Sequence, residues 1–420
     1  MSMKKQLLLL FSGMILTASV LAQSAPPQRL TLDQALRILR TSSPVLRANQ
    51  SHLEAVQAGE VTAGLRVNPV ASLANQDFRA FSPSQFAPAI SDAQEFTDSL
   101  AFTFERGGKR QSRVTSARAA TTVQRDVNAD AQRQLELQLK TTFVAFVQAK
   151  QQLALARQNL AEYQQTEAAN QLRLDAGDIS QTDFDRIRID EARYQSDLFN
   201  AQAAVGQARA QLGALLGYSD SRTLDVEGTL DVPQLTLALD PLNAAALDHR
   251  TDYIAARDTV TKNVADLKLA QANGATDLVV QPEYKRNGPD NTLGITFSFP
   301  LRIYDRNQGE KLRAQRELDS SRFAENAARL QVLSDVAQGW EAYQAALSAQ
   351  HLYSSDYLQR AKDVRERMTF SYEHGATNLL DYLDAVRAYR DVELSAINAN
   401  AQVLTAIHQL SFATATELLP

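Results

Sequence analysis

The chain has 420 residues, no Cys and a formal net charge of −5. Without Cys it cannot carry a disulfide framework, a thiolate zinc site, an iron–sulfur cluster or a Cys nucleophile. The negative charge excludes a broadly basic nucleic-acid-binding protein. The five His residues lie far apart, and no phosphate loop, nucleophile elbow or metal triad occurs. The sequence therefore predicts neither an enzyme nor a bound metal or cofactor.

Residues 1–22 have the pattern of a secretory signal peptide. Lys4 and Lys5 precede an apolar run, and Val20 and Ala22 supply small residues at the −3 and −1 positions of a cleavage site. We expect export with cleavage before Gln23, and no lipid anchor there because no Cys follows. No later stretch approaches the ~20 apolar residues of a membrane-spanning helix, so entry into a membrane would require a β-barrel.

The first half of the mature chain, residues 23–217, predicts two strands followed by two long helices. Leu100, Phe102 and Phe104 alternate with small or hydroxyl-bearing residues, which is the period of a strand with one apolar face. Neither Gly nor Pro occurs from residue 109 to residue 176, a length of ~100 Å if all are helical. The predicted elements are strands at 70–78 and 97–105, an external loop at 79–96, and helices at 109–176 and 180–216.

The second half repeats the first after a connector at 218–240, which the family resemblance described below would place in an equatorial region. The stretch around Gly177 resembles the stretch around Gly375, and each marks a turn between two long helices. In the helix after Gly177 a 3/4 apolar repeat is broken by one polar residue, Glu191. The predicted elements of residues 241–420 are strands at 277–286 and 291–300 and helices at 309–373 and 378–412. The chain thus predicts a duplicated unit with four strands and four long helices.

Four strands of membrane length cannot close a barrel, since the smallest membrane barrels use about eight. Either the strands do not enter the membrane or several chains pool them, because an open sheet edge is not tolerated in lipid. The helices after the Gly turns carry apolar seams every seven residues, and the second carries two such seams. Two seams favour a ring of helices, and an ordinary antiparallel bundle is the alternative.

Two short motifs follow the predicted strand pairs, Phe104–Arg110 (FERGGKR) and Tyr304–Gly309 (YDRNQG). Together with the signal peptide, the duplication and the Gly turns, they resemble the outer-membrane efflux protein family, the TolC-like exit ducts. Within that family the motifs are similar to the cobalt–zinc–cadmium resistance branch, the CzcC-like proteins. The resemblance implies a mainly α fold with a membrane β-barrel: a homotrimer with a 12-stranded barrel and a 12-helix periplasmic α-barrel.

The same resemblance implies a passive duct in the outer membrane of a Gram-negative bacterium, with a long periplasmic portion. It would join a periplasmic adaptor (membrane fusion) protein and an inner-membrane pump of the resistance–nodulation–division class. The branch implies divalent heavy-metal cations as cargo, while drugs or secreted proteins use the same duct design. A duct with few His and no Cys cannot select a metal by coordination, so selection would lie in the pump and the adaptor. A periplasmic coiled-coil scaffold is the remaining alternative, but it has no need of four amphipathic strands.

The resemblance also suggests where an aperture lies. Asp381 and Asp384 match the family's acidic pair, which forms cation-attracting rings at the tunnel entrance. Asp381 has a second explanation, because Asn378 precedes it by three residues as a helix cap does. Capping does not explain Asp384, which lies one turn further into the helix.

Three further groups are candidates. Gly177 and Gly375 would be the periplasmic tips, where the family docks its adaptor. Asp183 and Tyr372 match a pair that can hold the family's aperture shut, with a helix cap and a packed Tyr as the alternative. One contact that holds the aperture closed in well-known members is missing here, because Thr377 stands where those members have Arg. A basic cluster at the start of the long helices would contact lipid head groups or neighbouring carboxylates, or remain solvated; its members are Arg106, Lys109, Arg110 and Arg306.

Overall fold

The computed structural model describes residues 29–76 and 95–419. The predicted signal peptide and most of the predicted external loop lie outside the described residues. The elements are α1 (Leu32–Ser42), α2 (Pro44–Gly64), β1 (Val70–Gln76), β2 (Glu95–Phe104), α3 (Lys109–Asp175), α4 (Gln181–Leu215), α5 (Leu239–His249), α6 (Thr251–Ala272), β3 (Leu278–Asn287), β4 (Asp290–Ser298), α7 (Gln308–Leu352), α8 (Leu358–Glu373) and α9 (Leu379–Thr414). The predicted mainly α-helical class is confirmed.

The longest helix, α3, has 67 residues and therefore spans ~100 Å. It packs against α2 and α4 of its own half and against α6 and α9 of the other half. None of the helices in the described part of the chain is both long enough and apolar enough to cross a membrane.

The helix expected over 309–373 is divided in the structure. A π turn at Tyr353–Tyr357 separates α7 from α8. The segment reads Tyr-Ser-Ser-Asp-Tyr, and these residue types have lower helix propensity than the residues that fill α3. No Gly or Pro marks the position, so the interruption was not predicted.

The four strands form one antiparallel sheet in the order β1–β2–β3–β4. Its register aligns Phe102 with Val280 and Val280 with Phe297, so apolar side chains share one face. That face is exposed: Leu73 is 82% and Leu293 is 87% accessible. The opposite face is polar, and there the Gln281 amide donates a hydrogen bond of 2.9 Å to Ser99 Oγ.

The sheet has two unpaired edges within the described residues, because β1 pairs only with β2 and β4 pairs only with β3. An exposed apolar face and open edges are unfavourable in water. In a single chain, therefore, the apolar face of the sheet is uncovered and its edges are unpaired.

Two apolar cores lie near the middle of the long helices. The first joins α1, α3, α4 and the connector, and a parallel bridge between Leu30 and Val226 ties the N-terminal segment to it. The second joins α5, α7 and α9. Beside the second core the buried Arg250 guanidinium binds Asp252 and Asp335 at 2.6 and 2.7 Å. This network connects the start of α6 to α7, far from both the sheet and the helix turns.

Candidate functional site

The two long-helix hairpins turn at Gly177 and Gly375, which have φ angles of +81° and +70°. A Cβ at either position would meet no atom within 4 Å, so the backbone angle and not crowding favours glycine. Both turns close with the same bond: the Asp178 amide donates to Arg173 O, and the Ala376 amide donates to Ser371 O, each at 2.8 Å. The two tips are therefore local copies of one helix-ending motif.

The helices that follow the turns begin with equivalent caps. The Ser180 hydroxyl donates to Asp183 Oδ2 at 2.8 Å and accepts from the Asp183 amide at 3.1 Å. In the second hairpin the Asn378 side chain donates to Asp381 Oδ2 and accepts from the Asp381 amide, both at 2.9 Å. Both acids therefore stabilise a helix start, which is the alternative that the sequence left open for them.

A layer of buried tyrosines joins the two hairpins above the turns. The rings of Tyr372 and Tyr382 stack at a centroid distance of 4.8 Å, and those of Tyr163 and Tyr194 stack at 4.4 Å. The Tyr163 hydroxyl donates to Ile187 O at 2.8 Å. Burial raises the pKa of Tyr194 to about 12, so the phenol stays neutral. The sequence analysis did not identify this layer as part of the site.

The structure does not bring Asp183 and Tyr372 into a hydrogen bond. The Tyr372 hydroxyl donates to Asn170 Oδ1 at 2.7 Å, and Asn170 is only 2% exposed. The Arg173 guanidinium lies over the Tyr372 ring, 4.8 Å from its centroid. Asp183 is engaged by its cap and by Arg186 at 3.5 Å. Tyr372 thus links α8 to α3 of the first hairpin through Asn170.

Asp384 differs from Asp381 in its surroundings. Its side chain is 75% exposed, and the Arg387 Nη1 atom lies 3.3 Å from its Oδ1. The same Arg387 reaches across to α4 and donates two hydrogen bonds to Asp190 Oδ2, at 3.1 and 2.7 Å. One turn further along α9, Arg390 lies 3.3 Å from Asp197 of α4. Two ion pairs therefore connect α4 of the first hairpin to α9 of the second.

Asp190 was missed because the sequence analysis assigned the polar break in the α4 seam to Glu191. In the structure Asp190 is 7% exposed, while Glu191 is half-buried and accepts hydrogen bonds from Gln164 and Gln195. A signal was present, since Asp190 lies three residues after Ile187 and four before Tyr194, both of them buried. That spacing places it on the same helix face.

The basic cluster does not act as one group. Lys109 is 7% exposed and its Nζ donates to Asp277 Oδ2 at 2.6 Å. Arg110 Nε donates to the Gly64 carbonyl at 2.5 Å. Arg106 and Arg306 have exposed side chains. The structure therefore places Lys109 and Arg110 in contacts within the chain and leaves Arg106 and Arg306 facing outward.

Sequence comparison shows which known proteins this chain resembles. Residues 244–416 match the model of the outer membrane efflux protein family. The cobalt–zinc–cadmium resistance protein CzcC of Cupriavidus metallidurans is 24% identical over 360 residues, covering 85% of this chain and 83% of that protein. The nickel and cobalt resistance protein CnrC of the same species is 26% identical over 327 residues, covering 75% of each chain.

Structural comparison gives the same fold. A crystal structure of CusC, described as a transmembrane channel, aligns with a TM-score of 0.76 and 16% identity, covering 94% of this chain and 95% of that one. The fold is that of the TolC-like outer-membrane channels. The chain is similar to outer membrane efflux proteins and, among them, to the CzcC branch, so the resemblance predicted from its motifs is confirmed. Because this family consists of passive channels, the prediction that the chain is not an enzyme is confirmed as well.

Proposed function

We propose that the chain forms the outer-membrane exit duct of a tripartite efflux system and that three copies build it. The three chains would pool their sheets into a 12-stranded barrel and their helices into a 12-helix tunnel in the periplasm. A periplasmic adaptor would join the duct to an inner-membrane pump of the resistance–nodulation–division class. Cargo would pass through the duct without any chemical step.

One observation carries this proposal: the sheet exposes its apolar face and leaves both edge strands unpaired. In lipid the apolar face is favourable, and an edge is tolerated only if another strand pairs with it. Pairing β4 of one chain with β1 of the next would satisfy every edge at once. The ~100 Å helix α3 begins five residues after β2 ends, so it would continue directly from the membrane into the periplasm.

The cargo that we propose is a divalent heavy-metal cation. The support is that the curated relatives are named for resistance to cobalt, zinc, cadmium and nickel. The exposed carboxylates of Asp381 and Asp384 would form the acidic rings of the aperture, which attract cations and repel anions. The tips at Gly177 and Gly375 would dock the adaptor, while Arg106 and Arg306 are the members of the basic cluster placed to meet lipid head groups.

The membrane location and assembly are tested by expressing the full chain with its N-terminal segment and fractionating the cell envelope. We expect the protein in the outer-membrane fraction, migrating as a heat-modifiable trimer on a gel. Recovery as a monomer that is stable in water without detergent would reject the duct and favour a periplasmic scaffold.

The cargo is tested by deleting the gene and measuring growth inhibition. We expect the deletion to sensitise cells to Zn²⁺, Co²⁺ or Cd²⁺ more than to hydrophobic drugs, and the intact gene to restore resistance. Greater sensitivity to drugs would keep the duct but replace its cargo.

A further inference from the structure

The Arg387 guanidinium lies between two carboxylates that differ in burial. Asp190 on α4 has a side chain only 9% exposed, whereas the Asp384 side chain on α9 is 75% exposed. Arg387 donates to Asp190 through both Nε and Nη2, at 3.1 and 2.7 Å. Its contact with Asp384 is a single one of 3.3 Å through Nη1. By this geometry the Arg387 guanidinium is bound mainly to Asp190, the buried partner.

The electrostatics of the three groups also favours the pairing of Arg387 with Asp190. A buried carboxylate without a counter-ion is strongly unfavourable, whereas an exposed carboxylate is stabilised by water. The hydrogen bond to Asp190 is the largest cause of the raised pKa of Arg387, and the charge of Asp384 contributes less than that of Asp190. An exposed ion pair such as Arg387 with Asp384 is weak and screened by salt.

We propose that Asp190 sets the charge of the aperture by retaining Arg387 and so keeping Asp384 free to act on passing cations. This inference rests on the proposed function, because it assumes that Asp384 lines the aperture. The two carboxylates and the guanidinium leave one net negative charge in each chain. Asp190 touches no cargo in this scheme and is a positioning residue.

The proposal gives opposite effects for two single variants. Asp190→Asn releases Arg387 to Asp384, which removes the net negative charge of the group in each chain. Arg387→Gln leaves both carboxylates uncompensated, which adds one negative charge in each chain. The double variant Asp190→Asn with Arg387→Gln removes equal and opposite charges, so the charge at Asp384 returns to that of the wild type.

The experiment measures the ratio of K⁺ to Cl⁻ permeability of the purified full-length channel in planar bilayers with asymmetric KCl. We expect Asp190→Asn to lower the ratio by about twofold or more, Arg387→Gln to raise it by a similar factor, and the double variant to restore it. The alternative is that the salt bridge only holds the helices together. It predicts a change of conductance in the same direction for all three variants, without recovery in the double variant, and that outcome would overturn the proposal.

Arg390 and Asp197 supply the matched control. They pair the same two helices at 3.3 Å, with Asp197 seven residues, or ~10 Å, further from the turn than Asp190. Asp197→Asn should leave the permeability ratio unchanged, and an equal effect there would reject a role specific to Asp190.

Comparison with Asp384→Asn separates this inference from the proposed function. If Asp384→Asn lowers the ratio and Asp190→Asn does not, only the role of Asp190 fails. If Asp384→Asn has no effect, the acidic aperture fails and the inference fails with it.

Discussion

Asp277, immediately before β3, receives a hydrogen bond of 2.6 Å from Lys109 Nζ and one of 3.0 Å from the Arg106 amide. Lys109 begins α3 in the first half of the chain, and Asp277 precedes the third strand in the second half. This pair therefore ties the two repeats together where the sheet meets the helices. Lys109 is almost fully buried there, and its partner is a neighbouring carboxylate, one of the contacts that the sequence left open for the basic cluster.

Breaking this pair should destabilise the protein. Lys109→Met leaves the Asp277 carboxylate without its cation, and we expect a loss of about 2 kcal/mol because an unpaired, partly buried charge is costly. The temperature at which the trimer dissociates on a gel measures it. Lys109→Met with Asp277→Asn should lose less than the single variant, because no unpaired charge remains. Arg306→Met, at an exposed side chain, is the control and should change little.

The stability of the channel should fall as the pH drops below about 6.5, because of His408. This residue is 3% exposed, its Nδ1 has no hydrogen-bond partner among the described residues, and burial together with Lys140 lowers its pKa from 6.5 to about 4. The unfolded chain therefore binds a proton between these values while the folded chain does not. Acidification favours unfolding within that window, whereas above about 6.5 the contribution is complete.

The measurement is the midpoint of thermal unfolding in detergent from pH 7.5 to pH 4.5. His408→Gln keeps a polar side chain that does not titrate, so its midpoint should decline less steeply over that range. Lys140 and Glu417 face the same small cavity and remain unchanged in the variant. An identical slope in the wild type and His408→Gln would show that other groups cause the decline.

Neutralising the proposed aperture should reduce its preference for cations. Asp381→Asn with Asp384→Asn removes two carboxylates in each chain, and we expect a lower K⁺ to Cl⁻ permeability ratio in single-channel recordings. Asp391→Asn removes a carboxylate further along the same helix and serves as the control. Unchanged selectivity in the double variant would reject the acidic ring.

The pairing of β1 with β4 of a neighbouring chain can be tested by disulfide cross-linking. The natural chain has no Cys, so every cross-link reports introduced residues. Ser72 on β1 lies on the polar face, as do Thr292 and Thr296 on β4. We expect Ser72→Cys, combined with Thr292→Cys or Thr296→Cys, to give covalent dimers and trimers in at least one register.

The matched control replaces Leu73 with Cys in place of Ser72. Leu73 is adjacent in sequence but points to the apolar face, so it cannot reach a Cys on the polar face of the next strand. Cross-linked trimers from the Leu73 pair but not the Ser72 pair would contradict the proposed edge pairing.

The arrangement of the two hairpins should depend on Asn170 more than on Asp183. Tyr372→Phe and Asn170→Ala each remove the 2.7 Å hydrogen bond between α8 and α3, and we expect both to raise single-channel conductance. Asp183→Asn leaves that bond intact and should change conductance less. A large increase for Asp183→Asn alone would instead support the lock between Asp183 and Tyr372 that the family resemblance implies.

The features that could be predicted were those that depend on residues close together in the sequence. The run without Gly or Pro predicts α3 because nothing in it stops helix propagation. The alternation in β2 predicts an amphipathic strand because side chains point to opposite faces at every step. The caps at Ser180 and Asn378 were visible because a cap and its partner lie three residues apart.

The contacts around the proposed aperture were predicted only in part, because they join distant segments. Asp190 and Arg387 are separated by 197 positions and meet only because the two hairpins pack together, so that the Arg387 side chain on α9 reaches α4. Tyr372 on α8 likewise meets Asn170 on α3, 202 positions away, because the two hairpins pack together. The π turn after α7 escaped prediction since no Gly or Pro marks its position.

The amino-acid sequence by itself determined the helices, the strands, the two turns and their duplication, because each depends on interactions between residues a few positions apart. Only the tertiary structure decided which charges are neutralised and which face outward, as Lys109 and Asp384 illustrate. The physical reason is that a charge is stabilised either by water or by a partner. Which of the two is available depends on how segments far apart in the chain pack together.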